Sequence, residues 1–211
     1  MKLVIYDFDG TLVDSRKDIA EAVNHMRRSL GGREYSLDEV IACVGNGVKD
    51  LVLRTITDLD TTFDVARKLL GEYYSAHPMD YTTLYPGVLD GVKKLQQAGF
   101  CQVLVSNKVE ALCRVCLEQL GVAAYLDEIV GDGRYRLKPD PEALFAMQER
   151  FGIKPEDCWM FGDNWTDLAA GRNAGCRRVF ATYGFGELNG ETFDYKVDSF
   201  EEFVDLMQEN R

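Results

Sequence analysis

The sequence predicts an α/β fold: a doubly wound, parallel-sheet, Rossmann-like core carrying a small inserted helical cap. Two observations predict it. Short runs that are apolar on both faces alternate with helical segments along most of the chain, the pattern of a parallel sheet covered by helices. One stretch, from about Ser15 to Asp80, breaks that alternation and holds only helical signals.

The elements follow in order. Leu3-Val4-Ile5-Tyr6 enters a strand at once and ends in Asp7-Phe8-Asp9-Gly10. Within the helical stretch, Ile19, Ala22, Val23, Met26 and Leu30 form a stripe at helical spacing. Ser36 and Glu39 have the spacing of a capping box, and Thr62 to Ala76 reads as a further helix. Strands resume at Gln102-Val103-Leu104-Val105, which ends in Ser-Asn-Lys, and at Glu128-Ile129-Val130. Two more follow at Cys158-Trp159-Met160-Phe161, ending in Gly-Asp-Asn, and at Arg178-Val179-Phe180-Ala181. Asp140 with Pro141 opens a helix, and Gly121 and Gly152 close two others in the left-handed position that follows a last turn. The expected organisation is a core of residues 1–14 and 81–211, with residues 15–80 inserted after the first strand. Ligands of open α/β sheets bind at the carboxyl ends of the strands, so an insertion leaving from that edge reads as a lid.

Composition narrows the partners. Lys plus Arg is 24 against 35 Asp plus Glu, a formal charge of −11, which repels nucleic acid and anionic lipid surfaces. An anionic ligand therefore needs positive charge concentrated locally. No apolar run approaches the roughly 18 residues that span a bilayer, and the N-terminus lacks the apolar region of a signal peptide. The expected address is the cytoplasm, with no nucleic-acid or membrane partner and a monomer or homodimer as the working unit. The six cysteines read as reduced core thiols. Cys113 and Cys116 form a C-x-x-C, but inside a helical pattern where Leu112, Val115, Cys116 and Leu120 make the apolar stripe. A redox pair instead opens a helix. His25 and His77 have no partners at a catalytic or metal-ligand spacing and read as structural.

Four clusters carry chemistry. Asp7 and Asp9 leave the first strand two residues apart, so their side chains face a common space. Carboxylates held together repel unless one is protonated or a cation joins them, and Mg²⁺ is typically held by one or two carboxylates plus substrate phosphate. Gly162-Asp163-Asn164-Trp165-Thr166-Asp167 brings two more carboxylates to the same sheet edge. Capping and the helix dipole explain one such Asp, but not acids gathered at strand ends from separate parts of the chain. Ser106-Asn107-Lys108 offers a hydroxyl and backbone amides at a strand-to-helix turn, natural phosphate ligands. Lys138, before Pro139, stands in a loop stiffened by that proline.

Taken together, Asp7-Phe8-Asp9-Gly10-Thr11, then Ser106, then Lys138, then Gly162-Asp163 with Asp167, resemble the four motifs of the haloacid dehalogenase superfamily, in its phosphatase branch. The resemblance covers essentially the whole chain, since the helical insertion occupies that family's cap position. It narrows toward the phosphoglycolate phosphatase group through Leu12-Val13-Asp14-Ser15, Val44-Gly45-Asn46-Gly47, Leu84-Tyr85-Pro86-Gly87-Val88, Lys138-Pro139-Asp140-Pro141 and Tyr183-Gly184-Phe185-Gly186. It departs at position 164, where Asn stands in place of a frequent Ser.

The resemblance implies Mg-dependent hydrolysis of a small phosphorylated metabolite, 2-phosphoglycolate first, through an aspartyl-phosphate on Asp7. Asp9 is then the acid and base. The Asp7 carboxylate, the Asp9 backbone carbonyl and Asp163 hold Mg²⁺, with Asp167 supporting them. Ser106, Asn107, Lys138, Gly10 and Thr11 surround the phosphate, and Gly45, Asn46, Gly47 and Lys49 of the cap contact the substrate. The alternatives are a sugar-phosphate phosphatase or phosphoglucomutase, or a pyrophosphatase, of the same superfamily. A signalling receiver phosphorylated on Asp also gathers acids at strand ends, but it needs no lid and no later Gly-Asp-x-x-x-Asp.

Overall fold

The computed structural model describes residues 1–211. Its centre is a six-stranded sheet of β1 (Leu3–Tyr6), β4 (Cys101–Val109), β5 (Glu128–Asp132), β6 (Cys158–Gly162), β7 (Arg177–Ala181) and β8 (Tyr195–Val197), in the order β5-β4-β1-β6-β7-β8. Every pairing in it is parallel. The strands read as continuous apolar runs because both faces are covered. Val4, Tyr6, Leu104, Trp159 and Phe161 point into one cluster of 24 buried residues. Their neighbours Leu3, Ile5, Val103, Cys158 and Met160 point into another of 15 on the opposite face, as the two-residue period of a strand requires.

Helices α5 (Val88–Gln97), α6 (Glu110–Gln119) and α9 (Phe200–Glu209) cover the first face through Val92, Cys116 and Phe203. The second is covered by α7 (Glu142–Phe151) and α8 (Trp165–Asn173) through Leu144, Met147 and Ala170. The result is the expected doubly wound α/β core.

Between β1 and β4 the chain forms α1 (Arg16–Ser29), α2 (Leu37–Ile41), α3 (Val48–Thr55) and α4 (Phe63–Ala76). These surround a third cluster, of 13 buried residues, that includes Ile19, Val23, Met26, Val52, Leu70 and Tyr74. The Ser36–Glu39 capping box opens α2, and the Thr62 hydroxyl caps α4. Chain leaves and re-enters this region through a two-stranded antiparallel ribbon, β2 (Val13–Asp14) with β3 (Thr83–Leu84).

Asp18, buried in the first turn of α1, ties the two passages together. Its carboxylate accepts from Tyr81 N (3.1 Å), Thr82 N (2.7 Å) and the Thr82 hydroxyl (2.6 Å). Asp18→Ala leaves those donors without partners, and buried donors left unmade cost about 1–3 kcal/mol each. Chemical denaturation is expected to show a loss of about 3 kcal/mol; a loss too small to measure would contradict this anchoring.

Three local readings of the sequence are corrected. Ser106, Asn107 and Lys108 lie within the last part of β4 rather than in a turn after it. The register with β5 shifts between Val105 and Val109, and such an irregularity bends a strand and re-aims its side chains. In α6 the face turned to the sheet is Cys113, Cys116 and Leu117, while Val115 is exposed and Leu112 packs on the third cluster. Two clusters, not one, dictate the burial around this helix. Finally, Pro141 is the residue before α7, and the Asp140 carboxylate accepts from Glu142 N at 3.0 Å.

Candidate active site

Sheet register assembles the site. Tyr6 aligns with Leu104 on one side and Phe161 on the other. One step further along lie Asp7, Val105 and Gly162, then Ser106 and Asp163. The chain order of the strands reverses between β1 and β6, and a crevice at such a switch point is the usual ligand site of this architecture. Asp7 and Asp163 flank that crevice, and Asp167 joins them from the first turn of α8, whose cap residue is Asn164. Asn164 accepts from Thr166 N, and Asp167 accepts from Asn164 N at 3.0 Å. The Asn that replaces a frequent Ser is thereby used as a helix cap.

Oxygens of Asp7, Asp163 and Asp167 lie within 4.8 Å of one another, and all three residues are buried. Lys138 Nζ stands among them, 2.8 Å from Asp7 Oδ1 and 2.7 Å from Asp167 Oδ1, and donates to Val105 O at 2.6 Å. Burial alone would depress this ammonium, but the Asp167 and Asp7 carboxylates more than offset it and hold its pKa above the ordinary lysine value. Burial, reinforced by the Asp7 charge and opposed by Lys138, pushes Asp167 up to about 7. Burial and the Asp167 and Asp7 charges likewise raise Asp163 well above the usual carboxylate range, against two backbone N–H donors, Gly186 (2.7 Å) and Phe185 (2.9 Å).

These acids fit a cation. Three buried carboxylates gather around the single ammonium of Lys138, more acid than that cation offsets. A divalent ion would relieve the crowding, and an all-oxygen donor set suits a hard one such as Mg²⁺. Asp9 stands outside the three-carboxylate group. Its side chain is 3.0 Å from Lys108 Nζ and accepts from the Ser15 hydroxyl.

The remaining predicted residues divide. Ser106 and Asn107 line the cavity above the acids. The Asn107 amide bonds Gly45 O, Lys138 O and Lys138 N at 2.8–2.9 Å, so it fixes the Lys138 loop and the 45–47 loop against β4. Gly45 and Gly47 line the same cavity. Both have positive φ, and a Cβ would meet the Asn164 side chain at 2.7 Å from Gly45 or Leu137 at 2.7 Å from Gly47. Gly10 and Thr11 pack beneath Asp163 instead of facing the cavity. A Cβ on Gly10 would stand 2.0 Å from Asp163 Oδ2, and the Thr11 hydroxyl approaches Asp163 Oδ1 at 3.4 Å. Asn46 turns to Asp50, and Lys49 is exposed and does not line the cavity.

The cation that does line it, beside Lys138, is Lys108, which the reading of Ser106-Asn107-Lys108 as a turn passed over. Tyr74 of α4 was passed over with it. The cavity, ≈ 210 Å³, has these polar groups on its floor and Ile19, Val44, Leu51, Leu70 and Leu112 above them.

Known proteins resemble this chain over nearly its whole length. A model of the haloacid dehalogenase-like hydrolases matches residues 4–181. The phosphoglycolate phosphatase of Chromobacterium violaceum is 36% identical over 215 residues, covering 99% of this chain and 97% of the relative. That of Aquifex aeolicus is 34% identical, covering 98% and 97%. A crystal structure described as a predicted phosphoglycolate phosphatase from Haemophilus somnus superposes with a TM-score of 0.93 at 26% identity, over 99% of this chain and 98% of that one. The match over residues 4–181 and the relatives at 34–36% identity over nearly the full chain show that the chain belongs to the haloacid dehalogenase-like hydrolases.

Proposed function

We propose that the chain is a magnesium-dependent phosphatase of small phosphorylated metabolites, with 2-phosphoglycolate as its substrate, working through a phospho-aspartate on Asp7. The observation that carries this reading is the buried group of Asp7, Asp163 and Asp167 around Lys138 at the switch point of the sheet. The names of relatives at 34–36% identity over nearly the full chain support the substrate.

Asp7 Oδ1 is held by Lys138, which leaves Oδ2 to attack phosphorus in line. The bond from phosphorus to the ester oxygen breaks, and Asp9 gives its proton to the departing alkoxide. Water then attacks the phosphoryl group as Asp9 takes back a proton, releasing phosphate and restoring the Asp7 carboxylate. Ser106 and the backbone amides of the 106–108 segment surround the phosphoryl oxygens, and Lys138 offsets the charge gathered on them. Asp7, the Asp9 carbonyl and Asp163 would hold Mg²⁺, with Asp167 keeping Lys138 and the α8 N-terminus in place. When bound, the ion neutralises charge between carboxylates and phosphoryl group and so permits their approach. Helices α1–α4 serve as the lid: they shut bulk water from the reaction and shape the space for the leaving group.

Phosphate release tests this. A panel of 2-phosphoglycolate, sugar phosphates, nucleotides and pyrophosphate is expected to give multiple turnovers that stop with EDTA and return with Mg²⁺. Mg²⁺ is also expected to raise Tm, because a ligand bound only by the folded state stabilises it. Turnover that persists after chelation and dialysis would contradict the metal assignment, and preference for another panel member would replace the substrate.

A further inference from the structure

Lys138 and Lys108 are the cations on the cavity wall, and they serve different neighbours. Lys138 directs its ammonium at three oxygens, those of Asp7, Asp167 and Val105. Lys108 Nζ has two partners, the Asp9 carboxylate at 3.0 and 3.3 Å and the Tyr74 hydroxyl. Those acceptors sit on two side chains, so a ligand carboxylate would share the Lys108 ammonium with Asp9. Tyr74 Oη accepts from Lys108, so its own proton is left to donate to the cavity. Both groups keep those roles. Burial would depress Lys108, but the Asp9 charge and Tyr74 outweigh it and hold its pKa high. Burial raises the Tyr74 phenol and keeps it neutral.

Resting on the phosphatase reading of this site, we propose that Lys108 with Tyr74 forms the subsite for a carboxylate on the leaving group, and that this pair selects a short phosphorylated hydroxy acid over neutral phosphate esters. Position favours it. Asp9 serves the ester oxygen, and in a 2-carbon hydroxy acid the carboxylate is separated from that oxygen by a single carbon. A group that recognises it must therefore adjoin Asp9, and Lys108 does, at 3.0 Å. Chemistry favours it too. A carboxylate has two acceptor oxygens for the two donors, and charge-assisted bonds of this kind are the strong ones.

The apolar part of the wall disfavours a polyhydroxyl leaving group. Ile19, Val44, Leu51, Leu70 and Leu112 offer sugar hydroxyls no partners, which leaves Ser75 and Asn164 as the polar side chains beyond the groups already named, and hydroxyls buried without partners are costly. The cavity, ≈ 210 Å³, also lies below the roughly 300–1,000 Å³ of common ligand sites, which suits a substrate of a few heavy atoms. The recognition charge thus comes from β4 of the core, while α4 supplies the hydroxyl that meets it. The subsite is complete only when α4 lies over the strand ends.

The test compares 2-phosphoglycolate with ethyl phosphate, the same two-carbon ester without the carboxylate, in wild type, Lys108→Met, Lys108→Arg and Tyr74→Phe. Wild type is expected to prefer 2-phosphoglycolate. The ratio of the two kcat/KM values is expected to collapse by about 10²-fold in Lys108→Met, chiefly through KM, as removal of a buried charge partner predicts. Lys108→Arg is expected to recover part of that ratio, and Tyr74→Phe to lower it by about tenfold. Parallel loss on both esters would overturn the subsite, reducing Lys108 to a support for Asp9, and would leave the phosphatase reading standing. Failure of wild type to hydrolyse any monoester would overturn the phosphatase reading itself. Glycolate binding by calorimetry examines the subsite without turnover: equal affinity for wild type and Lys108→Met overturns it.

Discussion

Asp7→Asn is expected to abolish phosphate release, with a loss on the order of 10⁴-fold or more in kcat, in a protein that remains folded. An amide oxygen does not attack phosphorus as a carboxylate does, and no other carboxylate replaces it. Asp163 Oδ2 is committed to the backbone N–H groups of Phe185 and Gly186, Asp167 to Lys138 and Asn164 N, and Asp9 to Lys108 and Ser15. Stability is expected to hold because the side chain is nearly isosteric and its Oδ1 still accepts from Lys138. Removing one of three crowded carboxylates also relieves repulsion. Steady-state kinetics beside a thermal melt check both halves. Residual turnover within about tenfold of wild type would exclude Asp7 as the nucleophile.

Lys138→Met is expected to fail in both respects. Nζ is buried against Asp7, Asp167 and Val105 O, and stripping one partner from a buried ion cluster costs about 3–5 kcal/mol because the remaining charges stay unpaired. Turnover is expected to fall by about 10²–10³ through lost charge stabilisation. The two effects are separable: Mg²⁺ is expected to recover part of the lost Tm, since it supplies positive charge to the same carboxylates, but not the turnover. A variant with wild-type Tm in the absence of Mg²⁺ would show that the cluster does not depend on this lysine.

Both residues stood out in the sequence, and so did most of the frame around them. Runs such as Leu3–Tyr6 and Cys158–Phe161 are legible because a strand covered on both faces is apolar at every position, and the acids that end them need no long-range information to be found. Helix α1 and the caps of α2 and α4 are legible for the same local reason: stripe and cap lie within a few residues of each other. The strands left unread, β2, β3 and β8, are two or three residues long, too short for any periodicity.

Lys108 was hidden differently. Its partners Asp9 and Tyr74 are 99 and 34 residues away, and its burial depends on a register shift in β4 that composition does not announce. Tyr74 sits on an apolar stripe of α4 and looks from the sequence like one more core residue. Lys49, by contrast, closely follows the glycine pair of Gly45-Asn46-Gly47, yet the φ of Gly47 and the start of α3 turn it to solvent.

The measurement that tests the central claim most directly is mass spectrometry of the protein quenched in acid during turnover of 2-phosphoglycolate with Mg²⁺. A phosphoryl group is predicted on the peptide that carries Asp7, labile to hydroxylamine as an acyl phosphate is, and absent from Asp7→Asn. Turnover with no adduct on that peptide under any quench, or with an adduct that survives in Asp7→Asn, would contradict a phospho-aspartate at Asp7.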